Sequence, residues 1–63
     1  MKARQIEVFN EYGDLDRIEI TLEDGKHLFD AVWDETEEQN EKNRVAFREW
    51  VKRMVAQQGH ELT

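Results

Sequence analysis

Apolar and polar residues alternate through the first half of the chain and recur every three to four residues in the second. Residues 5–12, QIEVFNEY, place Ile6 and Val8 on one side and Glu7 and Glu11 on the other, the period-two pattern of a strand. Gly13-Asp14 interrupts that pattern as a turn does. Residues 17–23 hold the clearest strand. Ile18, Ile20 and Leu22 line one face while Arg17, Glu19 and Thr21 line the other, and β-branched residues suit the pleat. Glu23-Asp24-Gly25 reads as a hairpin turn with Gly25 free to take a positive φ. Residues 26–33, KHLFDAVW, carry two patterns. Phe29, Ala31 and Trp33 alternate with Leu28, Asp30 and Val32, yet Leu28/Val32 and Phe29/Trp33 are also helical i,i+4 pairs. The turn before this short run asks for a returning strand, so a strand is expected.

Helical spacing takes over from Asp34. Asp34 with Glu37 three residues on fits a capping box, and Asn40 is a second N-cap candidate, so the helix starts near 35 or near 41. Phe47, Trp50, Val51 and Met54 form one apolar face, and Gly59 suits a left-handed cap that ends the helix near Gln58. Beyond it, Leu62 either docks back on the core or frays. With no linker and no internal repeat, residues 1–63 form one domain. The expected architecture is α+β: a three-stranded antiparallel meander (about 5–12, 17–23 and 26–33) packed by one C-terminal helix (35 or 41 to 58).

Size limits what this domain can do alone. A chain of 63 residues buries only about 60% of its unfolded surface, and its core supplies roughly 3–5 kcal/mol. It has no cysteine, hence no disulfide and no thiolate metal site. Six aromatics (Phe9, Tyr12, Phe29, Trp33, Phe47, Trp50) give the core bulk, and pairing with another chain is the remaining route to more burial. No signal-peptide-like apolar stretch and no membrane-length window occurs, which places the chain in the cytoplasm by expectation.

Charge changes the picture most. The net charge is −6, and it is sorted: residues 23–43 hold two bases and eight acids, residues 44–63 four bases and two acids. The acids Glu35, Glu37, Glu38 and Glu41 either present a surface to a basic partner or merely solvate a helix start, where the macrodipole favours them. Arg44, Arg48 and Lys52, four residues apart, either grip a partner's carboxylates or form a rim whose stems cover apolar surface. Two such helices side by side and antiparallel would match acid to base, so a two-fold homodimer is one expectation. Phe47 and Trp50 are assigned to the core. Trp33, where the sheet ends and the acidic run begins, is the better candidate for a binding hot spot.

Catalytic chemistry finds no support. His27 and His60 lack partners at metal-ligand spacing, no calcium loop or phosphate-binding glycine loop is present, and no cofactor is implied. The expected function is a noncatalytic protein-binding or regulatory module using Trp33, Glu35, Glu37, Glu38, Glu41, Arg44, Arg48 and Lys52, with a protein or a second copy as partner. The alternative is an acidic inhibitor imitating nucleic-acid phosphates. Direct nucleic-acid binding runs against the net charge, and no membrane contact is expected. An acidic chain ending in a helix such as NRVAFREWVKRM resembles the small accessory proteins of tailed bacteriophages and prophages. That resemblance implies a regulator or host-factor binder, and it assigns no role to any single residue.

Overall fold

The computed structural model describes residues 1–63 as four strands and one helix: β1 (Lys2–Phe9), β2 (Leu15–Leu22), β3 (His27–Val32), α1 (Glu41–Gln57) and β4 (Glu61–Leu62). The sheet order is β3-β2-β1-β4. The first three strands form an antiparallel meander, and β4 pairs parallel to β1. The α+β meander with its C-terminal helix is therefore present, with His27–Val32 a strand. The first strand lies earlier than the expected 5–12, because the turn closed by Asn10 and Gly13 takes up Glu11 and Tyr12, and a fourth strand is added to the sheet. Leu62 docks: Ala3 and Leu62 are cross-strand partners, and the Thr63 N–H donates to the Ala3 carbonyl at 3.0 Å.

Both hairpins are built alike. Gly13 N–H donates to Asn10 C=O and Asn10 N–H to Asp14 C=O; Gly25 N–H donates to Leu22 C=O and Leu22 N–H to Lys26 C=O. Each loop needs a left-handed residue at its third position, and glycine supplies it at φ 83° and 91°. A short polar side chain braces each loop. Asn10 Oδ1 accepts from Tyr12 and Asp14 N–H, and Asp24 Oδ1 from Lys26 N–H.

The helix starts at Glu41, so Asn40 is the cap, its Oδ1 accepting from Asn43 N–H at 2.8 Å. Asp34 caps something smaller. Its carboxylate accepts from Thr36 N–H and Oγ1, and its carbonyl takes Glu37 N–H, which closes one isolated turn. Between the turn and the helix, Gln39 acts as a substitute strand. Its Oε1 accepts from Leu15 N–H at 2.8 Å and its Nε2 donates to Leu15 C=O. A helix running from Glu35 would carry Gln39 out of that position. At the other end Gly59 (φ 81°) follows the Gln58 cap, with Gly59 N–H on Ala56 C=O and His60 N–H on Val55 C=O, a Schellman ending.

One core joins the layers: Ala3, Leu15, Ile18, Ile20, Leu22, Ala31 and Trp33 from the sheet side with Val51 and Val55 from the helix. Two sequence assignments are reversed here. Trp33 is buried at 8% exposure, while Trp50 stands 44% exposed. The buried stripe of α1 centres on Val51 and Val55, and Trp50 lies about 100° round the helix from Val51. In β1 the alternation is as expected, but Ile6 and Val8 share a face with Glu19 and Arg17, on the side away from α1, and Ile6 is 51% exposed. Glu7, opposite Ile18, faces the helix.

Replacing Gln39 by alanine would leave the backbone groups of a buried residue unpaired. We expect Gln39→Ala to cost about 2 kcal/mol in urea denaturation. A loss below about 0.5 kcal/mol would mean water replaces the amide freely.

Candidate docking cleft

Where β3 ends, the chain passes beneath the first turns of α1 and a cleft opens. Its walls are Val32, Trp33, Asp34, Glu37, Ala46, Phe47 and Trp50, with Asn43 at the back, enclosing about 400 Å³. That volume suits a few side chains of a bound segment. Trp33 N–H continues the β2–β3 ladder by one bond to Asp16 C=O, and its indole N–H donates to Glu37 C=O at 3.1 Å. The buried indole thus fixes the acidic turn against the sheet. Its ring meets Phe47 edge-on at 5.0 Å between centroids, and Phe47 stacks on Trp50 at 6.1 Å. The run leads from the core to solvent, with Trp50 and Val32 (67% exposed) at its mouth.

Only acids among the ionisable residues line this cleft. Hydrogen bonds from the Thr36 N–H and hydroxyl hold the Asp34 carboxyl below the ordinary carboxylate range, so it remains ionised near neutrality. Glu37 is shared with a second, polar recess formed by Asp14, Asp16, Glu35, Gln39 and neighbouring residues on the other side of Trp33. That recess assembles no group of carboxylates or histidines arranged to hold a metal ion.

The structure brings together only part of the sequence-derived set. Trp33 and Glu37 line the cleft, and Glu35 is close by in the recess. Glu38 is exposed, its carbonyl accepting from Asn43 Nδ2 at 2.8 Å and its carboxylate from Asn40 Nδ2 at 3.4 Å. Glu41 is exposed in the first helical turn. Glu35, Glu37, Glu38 and Glu41 all stay outside the ion pairs of the fold.

The basic stripe is largely used internally. Arg48 grips Glu7 with both arms of its guanidinium, at 2.7 and 3.1 Å, across 41 residues of sequence. Arg44 reaches back toward the Gln39 carbonyl at 3.4 Å, and Lys52 lines a separate shallow groove with Gln5, Glu49 and Thr63. The sequence assigns Phe47 and Trp50 to the core and gives Val32 no role, whereas the structure leaves Trp50 and Val32 exposed with Phe47 half-buried between Trp33 and Trp50. A tryptophan at helical spacing reads as core, and nothing local reveals that it overhangs a sheet edge.

Comparison with protein-family models, characterised proteins and solved structures finds no match, so the cleft's geometry alone carries the functional reading. No helix is long and apolar enough to cross a membrane.

The hydrogen bonds from Arg48 hold the Glu7 carboxyl below its ordinary value of 4.5, outweighing the opposing effect of burial. A carboxylate depressed in the folded state adds stability above its unfolded pKa and loses that contribution as pH falls through its folded value. Glu7→Gln should therefore cost about 1 kcal/mol at pH 7, the scale of a partly exposed bidentate pair. The cost should shrink steadily as urea denaturation is repeated from pH 4.5 downward. A difference unchanged at pH 3 would show that the pair contributes by shape alone.

Proposed function

We propose that this protein is a noncatalytic binding module whose docking surface is the cleft between the end of β3 and α1, and whose partner is another protein. The observation that carries the reading is the exposed Trp50 at the mouth of a stacked aromatic run, beneath carboxylates that no basic side chain of the chain neutralises. A large aromatic beside water with an apolar pocket at its foot is the usual make-up of an interface anchor. Acids around it raise encounter rates with a basic partner and select against acidic ones. A regulator or host-factor binder, of the accessory kind the sequence resembles, needs no more machinery than this.

Two competing readings draw on the same charges. A phosphate mimic would use Glu35, Glu37, Glu38 and Glu41 without the aromatics. A two-fold dimer through antiparallel helices would use Arg44, Arg48 and Lys52, of which Arg48 is already paired with Glu7.

Trp50→Ala tests the proposal, because the exposed ring leaves the core valines in place. The variant should keep its circular dichroism and lose its partner's affinity by about tenfold or more. The readout is affinity capture from a bacterial lysate with wild-type and variant baits in parallel. Identical capture by both baits defeats the cleft reading. Capture that ignores Trp50→Ala, collapses with salt and is competed by duplex DNA would instead establish the phosphate mimic.

A further inference from the structure

The cleft borders an unpaired sheet edge. In β2–β3, Trp33 N–H bonds Asp16 C=O, so Asp16 and Trp33 form a hydrogen-bonded pair. Pairs alternate along an antiparallel ladder. Ile18↔Ala31 and Ile20↔Phe29 are therefore bonded, while Arg17↔Val32 and Glu19↔Asp30 are not. The N–H and C=O groups of Asp30 and Val32 thus point away from β2. β3 is the outermost strand on that side, and no backbone bond in the fold reaches those groups. Val32 is also a wall of the aromatic cleft. Free backbone groups and an aromatic pocket together form one continuous surface.

We infer that the cleft's occupant is an extended segment of the partner, bound as an added strand on β3 and carrying alternating apolar and basic residues. This rests on the binding-module reading and goes beyond it in naming the mode and the ligand chemistry. Strand addition satisfies the Asp30 and Val32 backbone groups, while alternate side chains supply specificity. Side chains toward the helix enter beneath Trp50 and Phe47. Those on the opposite side, with those at the segment's end, meet Asp30, Asp34 and Glu37, which call for lysine or arginine. A docked helix would fill the cleft but leave the edge unpaired.

Opposite ends of this strand differ in their openness. At its start, β3 is irregular: the register shifts between Ile20 and Thr21, and His27 Nε2 lies 3.4 Å from Asp30. Such bulges and charges blunt an edge. Its last two residues, Ala31 and Val32, carry neither a charge nor a bulge and lead straight to the cleft.

The test is selection of short random peptides on the immobilised protein at low salt. Enriched sequences should alternate apolar with Lys or Arg residues. The best of them should lose about tenfold in affinity to Trp50→Ala and to Val32→Pro, which removes an edge donor while sparing the bonds to β2. Methylating the peptide's backbone nitrogens one at a time guards against misfolding of the proline variant. Every second nitrogen should be sensitive and those between indifferent. Binding that needs Trp50 but tolerates every methylation and Val32→Pro overturns strand addition and leaves the module reading standing. Enrichment of acidic or helically spaced sequences also overturns the inference, and no enrichment at all counts against both readings.

Discussion

Val51 and Val55 set the distance between α1 and the sheet, and most of the surface follows from that spacing. Both are fully buried, in one cluster with Ile18, Ile20 and Ala31. Small β-branched side chains let a helix sit close to a pleated layer, where a tryptophan would hold it away. With the valines at the centre of the stripe, larger residues are displaced to its margins. Phe47 goes to the end of the sheet where Trp33 can meet it, and Trp50 goes round to the edge. On the opposite margin Arg48 lies half-buried and finds Glu7 of β1, while Arg44, in line with the valines but nearer the helix start, reaches back to the Gln39 carbonyl.

The same seating explains why the charges divide into two populations. Arg48 and Glu7 are partners within the fold, and Arg17 is engaged by Asp16 and Glu19 on the open face. The acids of residues 34–41 have no such partners. They sit on a turn and a capping segment whose backbone is fastened by the Trp33 indole and the Gln39 amide. Their backbone is held in place while the carboxylates of Glu35, Glu37 and Glu41 make no hydrogen bond or ion pair within the fold, the usual condition for charges that serve recognition rather than stability.

Much of the architecture was legible because its signals are local. Period-two runs ended by Gly13 and Gly25 give the meander, and Asn40 and Gly59 mark the helix ends by short-range capping chemistry. Tertiary competition settled what remained. Asp34 and Asn40 are equally good caps in isolation, and Gln39's bond to Leu15, twenty-four residues away, decides between them. Alternation shows that Ile6 and Glu7 oppose each other, not which of them faces the helix. The pairing of Glu7 with Ile18 decides that. Of the site, Trp33 and the acids were visible as a boundary between element types. The exchange of roles between Trp33 and Trp50 was not, since a few tens of degrees in the stripe's centre move one ring from core to water.

The two-residue β4 joins the chain's extremes, with Lys2 opposite Glu61 and Ala3 opposite Leu62. Hairpins and helix form from neighbours in sequence, but this contact must close nearly the whole chain as a loop. Closing so long a loop carries a high entropic cost, and two residues of pairing return little against it. Without it the carbonyls of Met1, just before β1, and of Ala3 within it would lose their partners, and the unpaired border of that strand would lengthen. The domain thus has a weak seam at its termini and a firm centre.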